Sequence, residues 1–141
     1  MSMPAIERVI PLVGHLPASI REALARRVRE LAGLGLIGLS GPYVLEPNSE
    51  KLRAIFAAPY TEADWQPVRL VSDAAPPALL LHGGADTVVV PEHSERLAEA
   101  LRAAGVPVEY RQFAGRKHAD TVAALSTPGR RRAPVQEAIQ E

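Results

Sequence analysis

An α/β chain with parallel sheet strands and flanking helices is predicted by three observations. Apolar runs of strand length alternate with amphipathic helical patterns, as βαβ units require. The run Ala78-Leu79-Leu80-Leu81 has no polar position, as expected of a strand covered on both faces. The segment Glu92–Ala104 between two such runs places Leu97, Leu101 and Ala104 on one helical face. Pro91 opens that segment and Gly105 closes it, in the order that helix ends favour.

Composition bounds the rest. A chain of 141 residues is enough for one modest domain. Aromatics make up only 4%, so alanine, leucine and valine must fill the core. Sixteen basic residues balance sixteen acidic ones, which gives no reason to expect nucleic acid or an anionic membrane as a partner. The chain has no cysteine, which excludes disulfides and thiol chemistry and agrees with a cytoplasmic setting. No apolar run is long enough for a transmembrane helix. The early patch Val9 to Val13 is broken by Pro11 and lacks a basic start, so a signal peptide is not expected.

Taken in order, Met1 to Pro17 reads as irregular. A helix is expected from Ser19, where Ser19 and Glu22 make a capping-box pair. Ile20, Leu24, Val28 and Leu31 fall on one face, and Arg21, Arg26, Arg27 and Arg29 cover the others. These arginines read as a solvated face rather than an anion site. Gly33 is a helix stop, and residues 1–33 form an atypical N-terminal segment. Leu34 to Ser40 reads as a buried strand loosened by glycines, ended by Gly41-Pro42-Tyr43. Ser49 to Ala58 is a short helix with Leu52, Ile55 and Phe56 inward. Tyr60 to Ala75 reads as loop and holds Trp65, expected against the sheet edge rather than in a pocket. Val106 to Phe113 alternates as a strand, Ala114 to His118 is the loop after it, and Asp120 to Leu125 is a short helical turn. Arg130-Arg131-Arg132 reads as solvated surface, and Val135 to Glu141 begins a terminal helix. There is no internal repeat and no linker.

The strand Ala78–Leu81 runs into His82-Gly83-Gly84-Ala85-Asp86, followed by Val89, Val90 and Pro91. Two glycines allow a sharp turn, and a carboxylate sits just past it. This stretch resembles the acid loop of α/β-hydrolases, especially carboxylesterase-like and prolyl-oligopeptidase-like members. Gly105 to Tyr110, then Gly115-Arg116-Lys117-His118-Ala119-Asp120, resemble the last sheet strand and the histidine loop of the same family. The family order is nucleophile, acid, histidine, and here the acid and histidine stand in that order. The resemblance is specific from Pro76 to His118. It implies a partial α/β-hydrolase fold, a single incomplete domain over residues 1–141 that represents the C-terminal part. It also implies Asp86 and His118 as catalytic residues and a small-molecule ester as substrate.

The pattern departs from the family at the nucleophile. No Gly-x-Ser-x-Gly occurs in the chain. Ser40, in Gly38-Leu39-Ser40-Gly41-Pro42, matches that elbow in part, but Pro42 takes the second glycine position. Ser19 is better explained as a helix cap. His82-Gly83-Gly84 looks like an oxyanion loop but leads straight to Asp86, so it reads as the acid loop. His82, Asp86, His93 and His118 match no zinc spacing such as His-Glu-x-x-His, so no metal or cofactor is expected. Two readings remain. One is a serine hydrolase of carboxylesterase type, weak or inactive as an isolated chain. The other is a non-catalytic remnant, a pseudoenzyme or a fragment that associates with another chain. In either, strand Leu34–Ser40 lacks the neighbour it has in the family, leaving a sheet edge open to self-association.

Overall fold

The computed structural model describes Pro17, Ser19, Ile20 and residues 35–141. Three strands, β1 (Leu36–Leu39), β2 (Ala78–Gly83) and β3 (Val108–Phe113), form one parallel sheet in the order β1-β2-β3. These are the three strands expected from the sequence, parallel and adjacent. Gly38 pairs in register with Leu80, and Leu80 with Tyr110. The helices are α1 (Glu50–Ile55), α2 (Glu62–Trp65), α3 (Glu92–Ala103), α4 (His118–Ala123) and α5 (Val135–Gln140).

Every residue of β2 is buried, which explains the unbroken apolar run Ala78–Leu81. Side chains alternate across a strand, so β2 serves two cores. Ala78 and Leu80 pack with Leu97, Ala98 and Leu101 of α3 on one face. Leu79 and Leu81 pack with Val135, Ala138 and Ile139 of α5 on the other, together with Ala124 and Ala133. The sheet is thus sandwiched between helical layers, an α/β arrangement.

The end of α3 shows why its sequence stops where it does. Gly105 takes φ 76°, a left-handed conformation that glycine adopts without a Cβ penalty. Its N–H donates to the Arg102 carbonyl, and the Val106 N–H donates to the Leu101 carbonyl at 2.9 Å. This is a Schellman cap, with the accompanying apolar contact between Val106 and Leu101 in one cluster. Val106, expected to open the strand, therefore belongs to the helix cap, and β3 begins at Val108.

Two further expectations differ from the structure. Tyr60 to Ala75 is not plain loop. It contains α2 and a 3₁₀ turn at Pro67–Arg69. Asp64 folds back on Thr61, accepting from its backbone N–H at 2.7 Å and its hydroxyl at 2.8 Å. This local cap stabilises a helix too short to show a periodic apolar face. In α1, Ser49 accepts from the Leu52 N–H, but no residue of the helix is buried and Ile55 is 57% exposed rather than inward. Trp65 packs its ring on Phe56, with centroids 4.5 Å apart, so α1 and α2 cover each other. The helix expected from Ser19 lies almost wholly outside the described residues, as do its arginines. Within it, Ser19 and Ile20 are helical and Ile20 is buried. Among the described residues, no strand pairs with the outer edge of β1 or of β3.

Leu80, fully buried at the middle of the central strand, should be the more sensitive of two test positions. Leu80→Ala is expected to destabilise the chain by about 2–5 kcal/mol in urea unfolding. The same change at Leu36, 38% exposed on the edge strand, should cost well under half of that. Equal losses would show that β2 is not the centre of the core.

Candidate functional site

Strands β2 and β3 are parallel neighbours, and Gly83 pairs with Phe113 at their C-terminal ends. The loops that follow them therefore leave the sheet on the same side, where sites form in open α/β sheets. Backbone hydrogen bonds clasp the two loops together. Gly84 N–H donates to the Phe113 carbonyl at 2.8 Å, and Ala85 N–H donates to the Arg116 carbonyl at 2.9 Å. Gly83 makes this approach geometrically allowed, because a Cβ there would lie 2.4 Å from the Arg116 carbonyl oxygen. Gly115 turns the second loop with φ 71°.

The clasp brings together the two residues singled out in the sequence. Asp86 is buried, and each carboxylate oxygen has its own task. Oδ1 accepts from the backbone N–H groups of Val88 and Val89, both at 2.9 Å. Oδ2 lies 2.8 Å from His118 Nδ1 and 3.3 Å from His82 Nε2. Burial pushes the Asp86 carboxyl upward. The His118 hydrogen bond, the Val89 and Val88 N–H groups and the His118 charge outweigh it and hold the carboxyl below its ordinary value. An ionised carboxylate only accepts hydrogen bonds, so His118 Nδ1 carries the proton between them. Nε2 is then the nitrogen left to take up or release a proton, on a side chain that is 40% exposed.

His118 is the first residue of α4 rather than the last of a loop. The Lys117 N–H donates to Asp120 Oδ2 at 2.7 Å and fixes the helix start. Thr121, one turn on, is fully buried. Its Oγ1 is 2.9 Å from Ser40 Oγ, at the end of β1. Ser40 has φ 49°, the one positive φ among described non-glycine residues. Yet it is only 2% exposed, and its hydroxyl is paired with Thr121. The structure thus uses Ser40 to tie β1 to α4 and seals its hydroxyl from solvent.

Beside the acid loop lies a cavity of about 450 Å³, walled by Pro42, Val44, Leu45, Leu52 and Val88 to Val90. Glu46, Glu92, His93 and Arg96 supply its charged and polar lining. The Val44 N–H donates to His93 Nδ1 at 3.1 Å, tying the chain after β1 to α3. Burial holds His93 below the ordinary histidine value. Val88 and Val89 thus line the cavity and also hold the Asp86 carboxylate with their backbone N–H groups. The sequence pattern included Val89 and Val90 in the acid loop but gave none of the three valines a role in a cavity. The available signal was three consecutive valines in a loop, with Val88 74% exposed. Among the described residues, no group of three histidine, aspartate or glutamate side chains is placed to hold a metal ion. None of the helices there is long and apolar enough to cross a membrane.

The prolyl oligopeptidase family matches residues 47–138. A thermophilic esterase from the Planctomycetes species Thermogutta terrifontis superposes with a TM-score of 0.50 at 25% identity, over 60% of this chain and 32% of that one. A carboxylesterase from Lactobacillus plantarum superposes with a TM-score of 0.55 at 20% identity, over 81% of this chain and 46% of that one. The chain therefore spans less than half the length of these structures, and the likeness is one of fold. Separately, 41 residues are 88% identical to the DNA translocase FtsK of Bradyrhizobium diazoefficiens, covering 29% of this chain and 5% of that one. So small a share of a longer protein carries no function across.

Two outcomes follow from this geometry. Gly83→Ala should force the two loops apart, with a cost of about 1–3 kcal/mol and faster amide exchange at Gly84 and Ala85. Unchanged exchange at those amides would mean that the clasp tolerates a side chain. The second outcome concerns acid. The Asp86 carboxyl titrates lower in the folded chain than in the unfolded chain, where it takes its ordinary value of about 3.9. Its contribution to stability is therefore complete above that value and is lost as pH falls through the folded one. Asp86→Asn should flatten the loss of stability that the native chain shows as pH falls below the ordinary carboxylate value. Parallel curves for the two proteins would show that Asp86 is not the titrating group.

Proposed function

Because the chain belongs to the prolyl oligopeptidase family, we propose that it is an α/β-hydrolase of carboxylesterase type, in which Asp86 and His118 act as a catalytic pair. The observation that carries this reading is the 2.8 Å hydrogen bond between His118 Nδ1 and Asp86 Oδ2, at the ends of adjacent parallel strands. In ester hydrolysis by a serine nucleophile, a histidine takes the serine proton as the oxygen attacks the acyl carbon. The same histidine then returns it to the departing alcohol. His118 Nε2 suits that task, since Asp86 occupies Nδ1 and fixes the ring. The buried carboxylate stabilises the imidazolium that forms. The cavity beside Val88 to Val90 offers apolar walls to an acyl or alcohol group.

A second reading is favoured by one observation. Ser40 is buried and paired, and no Gly-x-Ser-x-Gly is present. On that reading the chain is non-catalytic alone and associates with another chain. Both readings agree that the isolated protein should hydrolyse an activated acetate ester weakly or not at all. They also agree that no serine should react stoichiometrically with a fluorophosphonate. Labelling of one serine, abolished by His118→Ala, would reveal a nucleophile within the chain.

The catalytic pair is tested by grafting residues 47–138 into the equivalent place in the Thermogutta terrifontis esterase. That host retains its own upstream segment. The chimera should hydrolyse the acetate ester, and His118→Ala or Asp86→Asn should lower kcat by about 10³-fold or more. A folded, active chimera indifferent to both substitutions would overturn the assignment. A folded but inert chimera would favour the non-catalytic reading.

A further inference from the structure

His82 is the last polar residue one would place in the centre of this core. It lies on β2 between Leu81 and Gly83, and it is 0% exposed. Both ring nitrogens are engaged. Nδ1 is 2.7 Å from Ser94 Oγ, on the first turn of α3, and Nε2 is 2.7 Å from the Val89 carbonyl oxygen. Ser94 is also 0% exposed. A buried imidazole and a buried hydroxyl inside an apolar sandwich cost stability unless each is fully hydrogen-bonded.

These partners determine where the proton sits. A backbone carbonyl can only accept, so Nε2 must carry hydrogen. In the neutral ring Nδ1 is then an acceptor, and the Ser94 hydroxyl donates to it. The same Nε2–H lies 3.3 Å from Asp86 Oδ2, the oxygen that also receives His118. With hydrogen on Nε2, His82 holds the Val89 carbonyl and faces the carboxylate favourably. With hydrogen on Nδ1 instead, the Nε2 lone pair would face two oxygens, and the loop Asp86–Val89 would be pushed away.

We propose that Ser94 and His82 form a positioning relay, in which Ser94 anchors the His82 ring at Nδ1 and His82 holds the Asp86 loop in register with His118. Neither touches the reacting atoms. This deepens the functional reading above and rests on it for its catalytic meaning. The contact geometry does not depend on turnover.

The relay explains why a polar pair sits at that depth. Asp86 is anchored locally by the Val88 and Val89 N–H groups, but those bonds belong to the loop itself and cannot place it relative to the sheet. His82 is on the sheet and Ser94 is on α3. Together they tie the loop to the buried central strand and to the buried face of α3, as a preorganised site requires.

The test uses the full chain labelled with ¹⁵N and needs no catalysis. Long-range ¹H–¹⁵N spectra of the wild type should show His82 as the Nε2–H tautomer with Nδ1 unprotonated. In Ser94→Ala the Nδ1 partner is gone, so the His82 ring should keep its Nε2–H but lose its fixed position, with broadened ring resonances. Amide exchange at Val88 and Val89 should rise about tenfold, the loss of roughly one hydrogen bond. Exchange at Leu80, in the strand, should stay unchanged, which separates loss of positioning from global destabilisation. The His118 Nδ1–H resonance should weaken in step with the Val88 and Val89 changes. An Nδ1–H or doubly protonated His82 in the wild type overturns the relay, as does a folded Ser94→Ala chain with unaltered Val88 and Val89 exchange. Should Ser94→Ala fail to fold, the wild-type tautomer still decides the matter. An inert chimera together with the expected His82 spectrum would remove the catalytic reading and leave the loop anchor standing.

Discussion

The constraint on which the rest of the structure depends is the close approach of two loop backbones at Gly83. Parallel strands deliver their C-terminal loops to one edge of the sheet, but delivery alone does not join them. The Gly84 and Ala85 N–H groups reach across to the Phe113 and Arg116 carbonyls only because residue 83 has no Cβ. Once joined, the loops pair backbone groups of one with those of the other. They also hold Asp86 and His118 at hydrogen-bonding distance. The pair is thus a consequence of main-chain pairing, with the side chains completing what the backbone began.

That clasp is only as rigid as the elements beneath it. Leu79, Leu80 and Leu81 tie β2 to α5 on one face and to α3 on the other, so the acid loop starts from the most deeply buried strand. The histidine loop starts from β3, whose residues are mostly half-buried, and is secured at its far end by α4. There Asp120 caps the backbone at Lys117, and Thr121 meets Ser40. One loop gains its order from the core, and the other from the helix that follows it.

Asp86 resolves a choice that sequence alone leaves open. Aspartate after a glycine turn is commonly a turn residue that bonds to backbone N–H groups ahead of it. Aspartate in an acid loop holds a histidine. The structure shows both relations in one side chain, divided between oxygens. Oδ1 takes the Val88 and Val89 N–H groups, and Oδ2 faces His118. The division lets a buried carboxylate stay ionised, since three donors compensate for its lost hydration.

Much of this chain was legible before any coordinates. The strand Ala78–Leu81, the helix after Pro91, its glycine stop and the order of acid before histidine are local patterns. They arise from side-chain period, capping chemistry and backbone permissiveness, each confined to a few neighbouring residues. The short helix at Glu62–Trp65 escaped notice because four residues cannot display a period. Its only signal was the Thr61–Asp64 cap. What tertiary structure alone decided involves partners far apart in the chain. It sealed Ser40 against Thr121, set His82 between Ser94 and Val89, and lined a cavity with Val88 to Val90. None of these could be read from the local sequence, because each depends on how parallel strands fall into register and which helix face lies over them. Register is a property of the packed sheet, and it exists only once the chain has folded.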